Sequence, residues 1–363
     1  MKGNKGEWSE IYVLLRLLAD GRLNAADEKL LPISDMYFPI IKILREEIAG
    51  QIYKYLPNND GAQIEIYLND ECIMSKAMHE FEDMSQKLFH KINSGGERAF
   101  LIPDIEEFVR SIFVNKLKVS TSKEDILIQS HDILTGYQNI VGFSIKSDLG
   151  SSPTLLNATA ATNFVFTIKG LDETHIEEIN AINTPTKLVD RMARINDLGG
   201  VLAFEDIDNV NFKSNLTLID SQMPKVVAEM LLGYYVNRIN DCSSLVEHLC
   251  EINPLSLTPE YYRHKISEML CAFALGMTPS KKWSGTDAAT GGYIIVKKDG
   301  DVLAYHIYNR DAFKGYLLAN TRLERGSSTR HGYCTIYREN NEIKIKLNLQ
   351  VRFMWIIHMK EGI

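Results

Sequence analysis

The stretch KEDILIQSHDILTGYQNIVGFSIKSD, residues 123 to 148, decides how this chain is read. Asp125 opens a short apolar run, Ile126-Leu127-Ile128, with the character of a strand. Asp132, Gly136 and Asn139 mark a turn region. A second strand, Ile140 to Lys146, then carries Ser144-Ile145-Lys146. Side chains alternate faces along a strand. Val141, Phe143 and Ile145 therefore share a core-like face, and Gly142, Ser144 and Lys146 share the other. Paired strands would bring Asp125 and Lys146 to one end of a sheet. One acid and one lysine beside a scissile phosphate suit hydrolysis: the acid holds Mg²⁺, and the lysine orients water or offsets developing charge. A surface hairpin with polar tips fits the same residues, so the rest of the chain must decide.

Upstream, Trp8 to Ala19 reads as a helix whose core stripe is Trp8, Ile11, Tyr12, Leu15 and Leu18. Ser9, Arg16 and Asp20 form its narrow wet face. Glu10 belongs to neither, with Leu14 and Leu17 one and two turns on. A carboxylate among leucines is costly unless something binds it, and a metal would. Glu7 and Glu10 also suit the first turns of a helix electrostatically, an explanation better for Glu7 than for Glu10. Asp35 to Glu47 and Ile64 to Leu68 read as strands, Met78 to Ile92 and Ile102 to Val114 as helices.

Downstream, Ser147 to Ala158 is a small, polar loop expected to open into a short helix. Its backbone N–H groups could hold a phosphate, or it is an ordinary connection capped by Ser152. Asn163 to Lys169, Val201 to Phe204 and Leu216 to Ile219 read as strands. Thr174 to Ile182, Thr186 to Leu198, Pro224 to Asn240, Ser243 to Glu251 and Pro259 to Leu275 read as helices. After Gly276 the chain turns basic and β-rich. Tyr293–Val296 with Val302–Tyr308, and Tyr333–Tyr337 with Ile343–Arg352, read as two hairpins, the first turning at Asp299-Gly300. Hairpins joined by basic loops could enter a DNA groove, where arginine pairs with guanine O6 and N7. Lys281, Lys282, Arg330, Gln350 and Arg352 are candidates there, although a solvated role fits each alone.

Composition bounds the alternatives. With 363 residues, 45% hydrophobic and 24% charged, the chain has the make-up of a soluble globular protein of about two domains. Net charge is −7, against polyanion binding over the whole surface. From residue 279 to 363, however, 14 basic residues face 8 acidic ones. The five cysteines form no C-x-x-C, which excludes a zinc ribbon and suits a reduced cytoplasmic protein. No apolar leader opens the sequence and no run of about 18 apolar residues occurs, so no membrane role is expected.

Several segments together resemble the HpaII-type family of type II restriction endonucleases. They are NKGEWSEIYVLL from Asn4, GFSIKSDLGSSPTLLN from Gly142, Thr162-Asn163-Phe164, ALGMTPSKKW from Ala274, ATGGY from Ala289, YHIYN from Tyr305 and LNLQVRF from Leu347, in family order. The resemblance implies cleavage of double-stranded DNA at CCGG with Mg²⁺, and a cognate methyltransferase that protects the host. More broadly the hairpin resembles the PD-(D/E)XK nuclease core, with Glu124 where a proline is usual and Ser144 where the second acid is usual. Lys5 to Glu10 resembles the KGxxxE opening helix of archaeal Holliday-junction resolvases, which also points to Glu10 as the missing acid, with Glu7 a substitute. No glutamate follows Lys146 before Glu173.

The expected fold is α/β: a PD-(D/E)XK core with a mixed central sheet flanked by helices over 1–220, a helical segment over 221–278, and a basic β-hairpin-rich DNA-recognition region over 279–363. Asp125, Glu10 and the Ile145 carbonyl are expected to hold Mg²⁺. Lys146 would contact the scissile phosphate and the attacking water, and Ser144 a water on the metal or a phosphate oxygen. Ser147, Asn157, Asn163, Lys281, Lys282, Trp283, Arg330, His331, Gln350 and Arg352 are expected against DNA. A palindromic site invites a homodimer, although monomers can nick each strand in turn. A structure-specific resolvase or repair nuclease, and a non-catalytic DNA-binding protein on a degenerate nuclease fold, are the competing readings.

Overall fold

The computed structural model describes residues 1–58, 61–96, 98–119, 124–133, 136–306 and 309–354. Lys123 and Tyr308, which end two of the stretches read above, lie outside them. The chain divides into two compact units: Met1–Pro153 with Asp287–Tyr316, and Thr154–Thr286 with Leu317–Ile363. Compactness thus cuts the chain differently from the contiguous division at 220 and 278, which concerned which parts cut and which read DNA.

The first unit is built on a nine-stranded mixed sheet. Its strands are β2 (Arg22–Ala26), β3 (Pro32–Ile48), β4 (Gln51–Pro57), β5 (Gln63–Leu68), β6 (Glu71–Ala77), β8 (Ile126–Ser130), β9 (Ile140–Ser147), β13 (Gly292–Val296) and β14 (Val302–His306). Their order is β2-β14-β13-β9-β8-β3-β4-β5-β6. β13 runs parallel to β9, and β14 parallel to β2; the other pairs are antiparallel. A two-residue pair, β1 (Lys2–Gly3) with β7 (Phe100–Leu101), stands apart. Helices α1 (Lys5–Asp20), α2 (Met78–Ser94) and α3 (Pro103–Ser111) share a core with the sheet, centred on Trp8, Ile11, Phe81, Ile105, Phe143 and Ile294. On the other face of β13 and β14, Tyr293 and Tyr305 meet the rings of Phe313 and Tyr316 on α10 (Arg310–Ala319). A mixed sheet flanked by helices is therefore what the chain forms.

The first C-terminal hairpin departs from its expected use. Every residue of β13 and β14 is buried, and β13 is hydrogen-bonded between β14 and β9. Two covered faces explain the near-continuous apolar runs GYIIV and VLAYH. This hairpin completes the sheet of the first unit, and its strands have no face left for a DNA groove.

The second unit carries a four-stranded antiparallel sheet, β12 (Val201–Ile207), β11 (Asn163–Lys169), β17 (Glu342–Asn348) and β16 (Ile336–Glu339), in that order. A three-stranded sheet orders β10 (Thr154–Leu156), β18 (Val351–Phe353) and β15 (Thr321–Leu323). Around them lie α4 (Ile176–Ala181), α5 (Lys187–Asp197), α6 (Val210–Ile219), α7 (Met223–Tyr235), α8 (Cys242–Ile252), α9 (Pro259–Leu275) and the short α11 (Ser328–His331). Two expectations fail here. Leu216 to Ile219 is the end of α6, which Asn209 caps by accepting from the amides of Asn211 and Phe212, burying Phe212, Asn215 and Leu216 at helical spacing. The segment after Ser152 forms a strand, because its hydrogen-bonding partner, β18, lies some two hundred residues away. Such pairing leaves no local trace.

Candidate active site

Asp125 sits at the mouth of the β8–β9 hairpin, its amide donating to the Phe143 carbonyl at 2.8 Å. Its carboxylate is fixed from β9: Oδ2 accepts the Ile145 amide at 2.8 Å and the Ser144 hydroxyl at 3.2 Å. The side chain is 9% exposed. Ser144 thus donates its hydroxyl hydrogen to Asp125 and helps to fix that carboxylate. It is 2% exposed, so β9 is buried on both faces beside it, against the half-wet strand that its alternation suggests.

Helix α1 brings a second carboxylate to a cavity that Asp125 also lines. Asn4 and Glu7 close its N-terminus reciprocally: the Glu7 amide donates to Asn4 Oδ1 at 3.0 Å and the Asn4 amide to Glu7 Oε2 at 2.8 Å. Glu7 is thereby accounted for as a capping residue. Glu10, one turn on, lines a cavity of about 240 Å³ with Asp125, Glu124, Arg45, Glu46 and Leu14. Burial pushes its carboxyl up to about 8, and the negative charge of Asp125 pushes the same way. Burial drives the Lys146 ammonium below its usual range, against the opposing pull of Asp125 and Glu10. Its Nζ lies 5.7 Å from the Tyr293 ring centroid, within cation–π range. Lys118 Nζ stands 3.9 Å from Asp125 Oδ1.

Two carboxylates repel each other in a partly dry cavity, a cost that a cation between them would relieve. No group of three or more His, Cys, Asp and Glu side chains among the described residues is arranged to hold a metal. A cation such as Mg²⁺ needs only one or two carboxylates and keeps waters or substrate oxygens for the remainder. Glu10 and Asp125 therefore fit.

The expected DNA contacts lie apart from one another in kind. Ser147 is tied inward, its Oγ accepting from Ser9 Oγ at 2.7 Å and from the Leu149 amide at 3.2 Å. Asn163 is 2% exposed, donates to the His331 carbonyl and accepts from Asn348, so its amide ties parts of the second unit together. Asn157, Lys281, Lys282 and Arg330 are exposed, and His331 is half-buried. Trp283 is fixed by hydrogen bonds to Asn215 and to the Thr286 carbonyl. Arg352 donates to Glu324 at 2.8 Å. Gln350 Oε1 is buried with no partner among the described residues.

Three participants escaped the sequence reading. Glu124 faces the same cavity, although the sequence treated it only as a missing proline. Lys118 lies outside any motif, and nothing local marks it. Asn215 is fully buried and binds the carbonyls of Thr278 and Lys281 and the amide of Trp283, clamping the basic loop. A polar residue on the apolar side of a helix was the available signal.

Comparison with known proteins follows this geometry. The family model described as HpaII restriction endonuclease matches residues 4–353. The type II restriction enzyme HpaII of Haemophilus parainfluenzae is 41% identical over 358 residues, 97% of this chain and 98% of that enzyme. No solved structure matches.

Proposed function

The chain belongs to the HpaII restriction endonuclease family and is a type II site-specific deoxyribonuclease; from that premise we propose that it hydrolyses double-stranded DNA at CCGG with Mg²⁺, leaving 5′-phosphate and 3′-hydroxyl ends. What carries the assignment of the site is the convergence of Glu10, Asp125 and Lys146, three ionisable groups from α1, the hairpin mouth and β9 whose charges act on one another. The nuclease-core reading of the fold rests on the same convergence.

Glu10 and Asp125 would hold Mg²⁺, with the Ile145 carbonyl as a further oxygen donor. Bound there, the ion supplies charge to the scissile phosphate and acidifies water. Ser144 and the Ile145 amide hold Asp125 in one rotamer, so the carboxylate needs no reorganisation when the phosphate arrives. Lys146, largely withdrawn from water, meets the scissile phosphate and orients the attacking water. Its lowered pKa makes the ammonium a better proton donor than an exposed lysine and eases proton exchange with water. The first unit, which holds residues 1–153 of the expected 1–220 core, would cut; the exposed basic loops at 281–282 and 330 would track the backbone. A methyltransferase that modifies the same sequence, and a two-fold dimer on a palindrome, follow from this reading.

The test is digestion of plasmid DNA with Mg²⁺, beside the same plasmid methylated at CCGG, with end-sequencing. Discrete cuts at CCGG, blocked by methylation and by EDTA, are expected. Cuts elsewhere would overturn the specificity and keep the chemistry. Lys146→Ala should lower the cleavage rate by about 10²-fold or more while duplex binding persists. Unchanged cleavage by that variant removes Lys146 from the site.

A further inference from the structure

Arg322 on β15 and Arg352 on β18 stand directly opposite each other in the antiparallel pairing. Like charges in that position oppose each other. Here one carboxylate joins them: Arg322 donates to Glu324 Oε1 at 2.7 Å and Arg352 to Glu324 Oε2 at 2.8 Å. The neighbours at odd positions, Thr321, Leu323, Val351 and Phe353, are buried in the core of the second unit. Alternation therefore puts Arg322, Glu324, Gln350 and Arg352 together on the opposite face.

Two atoms on that face are unsatisfied. Arg322 Nε is a buried donor and Gln350 Oε1 a buried acceptor, and neither has a partner among the described residues. Native proteins rarely leave such groups orphaned, and each needs a reason. Arg322 and Glu324 also line a cavity of about 480 Å³ with Arg238, Arg325 and Tyr234. Three guanidiniums against one carboxylate make it cationic, yet the ladder also presents acceptors. A phosphate would use only the donors.

We propose that this face is the specificity-determining surface, and that Arg322, Glu324 and Arg352 read the major-groove edges of adjacent G·C pairs. This rests on the nuclease reading above. Guanine presents two acceptors, O6 and N7, matching the fork of a guanidinium, and cytosine presents the N4 amino donor, matching a carboxylate. Glu324 has acceptor capacity beyond its two arginine bonds. It does two things here: it aims both arginines and takes the donor of the partner base. Arg322 and Glu324 were not apparent as readers from the sequence.

The test is equilibrium binding by fluorescence anisotropy, with Ca²⁺ in place of Mg²⁺. The probes are a short duplex carrying CCGG and one with the same bases scrambled. R322K, R352K and E324Q should each lose about 10- to 100-fold of the preference between the two, with the affinity for the scrambled duplex and the thermal midpoint within twofold and a few degrees of wild type. Replacing guanine by 7-deazaguanine, which lacks N7, should weaken wild-type binding and leave the arginine variant that contacts that base indifferent. Wild-type preference retained in all three variants overturns the proposal. Equal loss on both duplexes also overturns it, since that marks phosphate contact. Should a variant fail to fold, wild type on 7-deazaguanine DNA decides: undiminished binding overturns the proposal. A wild-type chain indifferent to sequence overturns the nuclease reading itself, before any variant is made.

Discussion

Glu10 is unfavourable for the fold, and the metal-holding role proposed for it gives that burial a reason. Its carboxyl is raised from 4.5 to about 8 by burial and by Asp125. The folded chain therefore binds a proton that the unfolded chain has released, and this contribution to stability is lost as pH rises. Below about pH 4.5 both states are protonated there, so Glu10→Gln should match wild type. Between pH 4.5 and 8 the metal-free variant should become progressively the more stable, with a constant margin above. Thermal midpoints in EDTA across pH 4 to 9 check this, and a margin independent of pH would falsify it. Mg²⁺ should raise the wild-type midpoint at pH 8 and leave the variant nearly unmoved. Ser144→Ala, which removes one hydrogen bond from Asp125, should cost about tenfold in cleavage rate, equivalent to ~1.4 kcal/mol. Titration of activity with Mg²⁺ should show a higher midpoint with little change in KM for DNA. At this scale the sequence was most legible where a charge was out of place: Glu10 among leucines, Asp125 and Lys146 at the ends of apolar strands. The bond from Ser144 to Asp125 was not legible, because it depends on the rotamer of a residue 19 positions earlier.

At the scale of elements, hydrophobic period was sufficient for α1, α2, β8, β9, α9 and the β13–β14 hairpin. It failed where pairing partners are remote or a local run is too short. LTLI has strand-forming residues, but Asn209 starts a helix that sweeps it in. β10 exists only because β18 reaches it. The start of β13 shows how tight the pairing within a hairpin is. Gly292 has φ +113°, and a Cβ there would lie 2.1 Å from the Tyr305 carbonyl oxygen. Gly292→Ala should cost about 1–3 kcal/mol from backbone strain alone, more once the clash is included, and lower the denaturation midpoint accordingly. The 278–283 loop makes the converse case. Asn215→Ala removes the side chain that binds two of its carbonyls and one amide. Faster amide exchange in that loop, with weaker DNA binding and an unchanged cleavage rate at saturating DNA, is the expected signature.

Across the whole molecule, charge is divided more evenly than the C-terminal excess suggests. The second unit holds 19 basic and 20 acidic residues, the first 21 and 27. DNA affinity must then come from a few local clusters. Each neutralised phosphate contributes about −0.9 to the slope of log affinity against log salt. Replacing Lys281 and Lys282 together by alanine should make that slope shallower by roughly 2; an unchanged slope would place both lysines away from the backbone. Compactness at this scale was the least legible property, because both units are assembled from segments that the chain leaves and revisits. The parallel pairing of β9 with β13 carries a consequence in time. Ser144, Ile145 and Lys146 lie opposite Tyr293, Ile294 and Ile295. A ribosome that has made the hairpin has not yet made the strand that covers the edge bearing Ser144 and Lys146. Every nascent or prematurely ended chain shorter than residue 296 leaves that edge open, so a chain ending at Thr286 should neither fold nor cut. A cell making such an enzyme is exposed to its chemistry only at the close of synthesis, when the last strand of the sheet arrives.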